Sequence, residues 1–89
     1  MAKQETSYGA IVRAEIAIEV INQARAIVTA RVYEFDEQDP AAAQQMRERR
    51  RELIDLQQRI RVDDHDAVET VIAVWGPRVR DEARFWAEF

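Results

Sequence analysis

From Tyr8 onward, apolar residues recur every three or four positions, as in Ala17, Ile21, Ala24, Val28, Val32 and Phe35, and nowhere alternate with a period of two. On a helix turning about 100° per residue that spacing collects them on one side, so the fold class expected is all-α. Two glycines and two prolines are the only strong punctuation. The first stop is FDEQDP, residues 35–40, where Asp39 is suited to accept from the free backbone N–H groups of a following helix. Pro40 suits the first helical position, which needs no N–H. Helix 1 is therefore expected over about residues 7–37 and helix 2 over about 40–62, with residues 1–6 a loose N-terminus.

Helix 2 ends at VDDHD, residues 62–66, a poor stretch for a helix interior and a good one for a helix start. Asp63 or Asp64 is expected to cap helix 3, which spans about residues 64–88. Gly76–Pro77 is the place where that helix is expected to kink or break. Val68, Ile72, Trp75, Val79, Ala83 and Trp86 nevertheless keep one side when counted through it. Three helices on short connections must run up, down and up, a three-helix hairpin or bundle in a single domain over residues 1–89.

Helix 1 is apolar over more than half its circumference. Beside the stripe already named lies a second side carrying Ile16, Val20 and Ile27, and only a narrow strip with Glu15, Glu19, Asn22, Thr29 and Glu37 is made for water. Two shorter helices cannot cover all of so long a helix, so the expectation is a homodimer with Ile16, Val20 and Ile27 at its interface.

Helix 2 carries the densest run of charge, MRERRRELIDLQQRIRV at residues 46–62. Ala42, Met46, Leu53, Leu56 and Ile60 form its apolar stripe; Glu48, Glu52 and Asp55 lie on one flank with Arg59, and Arg47, Arg50, Arg51 and Arg61 on the other flank and the back. Pairs such as Arg51 with Asp55 and Asp55 with Arg59 have the spacing of helix ion pairs, so a solvated helix face is the reading adopted. The same four arginines are the possible contact for an anion or nucleic acid, though no aromatic lies among them to stack a base. Arg49 differs, because it falls inside the apolar stripe. A guanidinium there must either reach out along its stem or meet a carboxylate from another helix or subunit, which makes Arg49 the expected specificity residue.

Composition narrows the functional classes. Cysteine is absent, which removes disulfides and thiolate metal sites, and 13 Lys+Arg against 17 Asp+Glu leave a net charge of −4 that repels nucleic acid and anionic lipid on average. No apolar leader and no stretch approaching about 18 uninterrupted apolar residues is present, so a soluble cytoplasmic protein without membrane contact is expected. Asp63, Asp64, His65 and Asp66 have metal-ligand chemistry, but adjacent residues on one turn point apart and capping accounts for the acids, so no metal or cofactor is expected. His65 is the only histidine, and there is no nucleophile motif or glycine-rich phosphate loop.

In length, helix count and arginine supply the chain resembles the small chorismate mutases, three-helix chains that form intertwined dimers and catalyse with a pocket of cationic side chains. The basic pocket of that family usually includes a lysine within the helices. The sole lysine here is Lys3, so no catalytic residue is carried over. At the C-terminus, Phe85 and Phe89 share a side of the helix that Trp86 does not, flanked by Arg78 and Arg84, and are expected to form a surface for a protein partner. The function expected is a small helical protein–protein interaction module, an adaptor, inhibitor or accessory factor acting as a homo-oligomer without catalysis. The alternative is a nucleic-acid-associated regulator using the arginines of helix 2, followed by a small helical enzyme of the chorismate-mutase type.

Overall fold

A computed structural model describes residues 7–89; the loose N-terminus expected at residues 1–6, with Lys3, lies outside the described residues. These form helices throughout, with no strand among them: α1 (Tyr8–Phe35), α2 (Pro40–Gln58), α3 (His65–Val79) and α4 (Glu82–Glu88). Each begins on a side-chain cap. The Ser7 hydroxyl accepts from the backbone N–H of Ala10, and the carboxylates of Asp39, Asp64 and Asp81 accept from those of Ala42, Ala67 and Arg84. Losing one such cap typically costs about 1 kcal/mol, so these four residues set where the chain turns.

Two expected boundaries need correction. Helix 2 stops at Gln58 rather than near residue 62, because the N–H groups of Arg59 and Ile60 turn back to the carbonyls of Leu56 and Gln57. Ile60 and Val62 stay packed on the core from the connecting segment, so burial continues after the helix has ended. Helix 3 neither breaks at Gly76–Pro77 nor continues as one helix to residue 88: α3 runs through Pro77 to Val79, and the chain breaks at Asp81. Proline removes one backbone hydrogen bond, to the carbonyl of Ala73, and Ala73 is on the exposed side where water can replace it. Asp81 offers a new cap, and its own N–H bonds to the Arg78 carbonyl, so the helix ends there.

Side-chain contacts fix the path. Asp36 pairs with Arg47, Thr29 accepts from Arg50 at 2.9 Å, and Gln57 donates to Asn22 at 2.8 Å and to the Ile18 carbonyl at 3.0 Å, so α2 descends alongside α1 in the opposite direction. Arg13 then meets Glu69 at one end and Arg31 meets Glu82 at the other, so α3 and α4 climb parallel to α1. Both α2 and α3 lean on α1, which is the spine of the fold. Of the 13 buried apolar residues among those described, Ala10, Ala14, Ala17, Val20, Ile21, Ala24, Val28 and Val32 belong to α1. Their three-and-four spacing is a seam, and its alanines let the neighbouring backbones approach closely. Leu53, Val68, Val71 and Phe85 fill the other side of that core.

The molecule is long for its mass. Its radius of gyration is 15.0 Å, against about 12 Å for a compact chain of this length. Stretching the core along α1 leaves much of that helix uncovered: of the six large apolar residues exposed among those described, Tyr8, Ile11, Ile16, Ile18 and Tyr33 lie on α1, and Val74 on α3.

Candidate interaction surfaces

The aromatic C-terminus is where structure and expectation part most clearly. Phe85 is completely buried, stacked on Phe89 at 4.9 Å between ring centroids, with Trp86 at 5.1 Å and Trp75 at 6.2 Å. Phe89 is half-buried and meets Trp75 edge-on at 6.3 Å. Phe85 is therefore a core residue and not part of an exposed partner surface. The reason is the break at Asp81, which resets the phase of the helix and turns the side shared by Phe85 and Phe89 inward against Trp75.

Three arginines close over these rings. Arg31 of α1 stands 4.2 Å from the centroid of Trp86, Arg49 of α2 4.1 Å from Phe89, and Arg78 of α3 4.8 Å from Trp75. Each helix thus donates one guanidinium to the face of a ring, an attraction of roughly 0.5–1 kcal/mol at such partly exposed sites. Glu88 ties the arrangement, accepting from Arg78 at 2.9 Å and from Arg84 at 3.2 Å. Burial pushes the Glu88 carboxyl up, but the hydrogen bonds from Arg78 and Arg84 outweigh it and hold the group below its ordinary value.

Arg49 needs no buried carboxylate from another helix or subunit. Its stem runs along the apolar stripe, its guanidinium caps Phe89, and Glu52 one turn on lies 3.9 Å away. Phe89 is 40 residues distant in sequence, which is why the stripe alone suggested an unpaired charge.

The remaining arginines do not converge on one site. Arg47 is held by Asp36 and by Gln44, and Arg50 by Thr29. Arg51 is exposed, and Arg61 sits on the connection after α2, where it meets Asp63 at 3.3 Å. The expected pairs Arg51–Asp55 and Asp55–Arg59 are not among the ion pairs of the described residues. Longer-range partners on α1 and at its C-terminal cap take two of the four arginines instead.

At the other end of the molecule, Ser7, Tyr8, Val12, Arg13, Val62, His65 and Glu69 line a cleft of about 460 Å³ between the starts of α1 and α3. Arg13 and Glu69 form a two-pronged pair across its wall, with Nε to Oε2 at 2.9 Å and Nη2 to Oε1 at 2.7 Å. The hydrogen bond to Arg13 holds Glu69 below its ordinary value, and the reciprocal bond holds Arg13 above its own. Sequence reading did not find this pair, because 56 residues separate its members. The Ser7 hydroxyl and the Asp64 carboxylate in this region are engaged as helix caps.

Among the residues expected at a dimer interface, the structure separates three cases. Val20 is 9 % exposed and already covered within the chain, which removes it from the uncovered side of α1. Ile27 is partly buried against the core, and Ile16 is 38 % exposed. The open side of α1 runs instead through Val12, Ile16, Glu19, Gln23, Ala26, Ala30 and Tyr33, a second seam of three-and-four spacing turned away from the core seam. Its signal was present in the sequence, but alanine and polar positions within it disguised the pattern. No helix among the described residues is long and apolar enough to cross a membrane. The chain matches no family model, no curated protein and no solved structure.

Proposed function

We propose that the protein works by protein–protein contact, self-associating through the open side of α1 as a homodimer and presenting the assembly to a protein partner without catalysing a reaction. The supporting observation is that α1 keeps Tyr8, Ile16 and Tyr33 at 82, 38 and 77 % exposure on a helix whose opposite side supplies most of the core. A long thin domain of this size buries too little surface to be robust by itself, and covering α1 with a second copy adds burial without a longer chain.

A nucleic-acid role is disfavoured by the use already made of the arginines. Arg47 and Arg50 are bound to Asp36 and Thr29 of the same chain, so contacting phosphates would require exchanging those bonds, and the net charge opposes approach.

Light scattering at micromolar concentration tests the proposal. A dimer mass is expected, and Ile16→Glu is expected to give a monomer of unchanged helicity, because Ile16 contributes little to the single-chain core. A monomer mass for the natural sequence overturns the proposal.

A further inference from the structure

We infer that the second copy lies antiparallel on α1, about a two-fold axis passing beside Gln23 and Ala24, and that Arg51 of α2 receives the acids of the partner's α1. This rests on the self-association proposed above and adds its direction and its charged contacts. The open side of α1 is electrically lopsided. Its N-terminal half carries Glu15 and Glu19, both exposed, and neither is in an ion pair among the described residues. Its C-terminal half is flanked by α2, whose Arg50 reaches Thr29 and whose Arg47 reaches Asp36. Arg51 stands beside them, exposed and also without an ion pair among the described residues.

A half-turn about residues 23 and 24 carries Glu15 to the level of residue 32 and Glu19 to that of residue 28. The first level falls between Thr29 and Asp36 and the second just before Thr29, alongside the stretch of α2 that carries Arg47, Arg50 and Arg51. Because such a rotation keeps each flank of the helix on its own side, Glu15 meets the flank that bears α2. The same operation sets Arg13 at the level of Glu34, both exposed and each already in an ion pair of its own chain, with Glu69 and Arg31. It also brings the bulky Ile16 to the level of residue 31, next to the small Ala30, so that large meets small on both sides of the axis. A parallel pairing does the reverse, setting Glu15 and Glu19 against their own copies and Tyr33 against Tyr33. Charge matching of this kind selects orientation and partner more than it adds raw affinity.

The absence of native cysteine makes the test direct. Under oxidising conditions Gln23→Cys, next to the axis, is expected to cross-link into a covalent dimer. Tyr33→Cys is not, because two such residues would lie about 28 Å apart along an antiparallel pair. Arg51→Glu or Glu19→Arg alone is expected to raise the dimer dissociation constant about tenfold, and the two together in one chain to restore it. Neither residue is in an ion pair among the described residues, so helicity is expected to be unchanged. Cross-linking at Tyr33, or a stable dimer with no cross-link at Gln23 and no response to either charge reversal, overturns the antiparallel inference while leaving self-association standing. A monomer under all conditions overturns both.

Discussion

The guanidinium of Arg49 lies 4.1 Å from the centre of the Phe89 ring, so the one charge within the apolar stripe of α2 is a lid on the aromatic cluster of α4. The contact joins two helices that are far apart in the chain, and it works without burying the charge: the Arg49 side chain is still 40 % exposed. Attraction between a cation and a ring face persists in such a half-solvated place, though it is weaker there than in a dry one.

A double-mutant cycle on Arg49→Ala and Phe89→Ala is expected to return a coupling of about 0.5–1 kcal/mol. Thermal unfolding of the four chains supplies the measurement. A coupling indistinguishable from zero would show that Arg49 only shields the ring by its stem.

Phe85→Ala is expected to lose about 3–5 kcal/mol, since it empties a fully buried site. Total stability for a domain of this length is on the order of 4–13 kcal/mol, so a large fall in melting temperature or outright unfolding follows. Circular dichroism melting decides the matter; an unchanged melting temperature would return Phe85 to the surface.

Gly76→Ala is expected to stabilise the protein by roughly 0.5–1 kcal/mol, the ordinary gain for removing a helix-interior glycine. Beyond its chain neighbours and the helix's own backbone, the new methyl would meet the Nη2 end of Arg80 at 3.6 Å, an ordinary contact with a flexible group, while crowding against the Cδ of Pro77 takes back part of the gain. Chemical denaturation measures this, and a loss of stability would mean that the chain needs glycine's freedom before Pro77.

Acid is expected to weaken the fold through Glu69 and Glu88. Both carboxyls are held below the ordinary value of 4.5 in the folded chain, so the stability they contribute is complete above that value and is lost as pH falls through their lower folded values. The urea midpoint should stay level as pH falls towards about 5 and then decline below 4.5. In Glu69→Gln the decline should be shallower; a decline as steep as in the natural chain would remove Glu69 from this account.

The all-helical fold and the starts of the first three helices were legible in the sequence because each depends on residues close together in the chain. Ser7, Asp39 and Asp64 act within three residues of themselves, and the stripe from Ala17 to Val32 needs only the helical period. What the apolar stripe of helix 2 and the tail of helix 3 meant was settled by tertiary structure. Phase counted through residue 81 assigned Phe85 and Phe89 to an outer side, and one capping carboxylate turned that side inward. Arg49 read as a charge in want of a carboxylate because its aromatic partner is remote in sequence, and Arg13 with Glu69 escaped notice for the same reason. Periodicity is a property of one helix and can be read from one segment. Which charge meets which ring depends on how three helices and a fourth short one come to rest against each other, and that is decided only when the core along α1 closes.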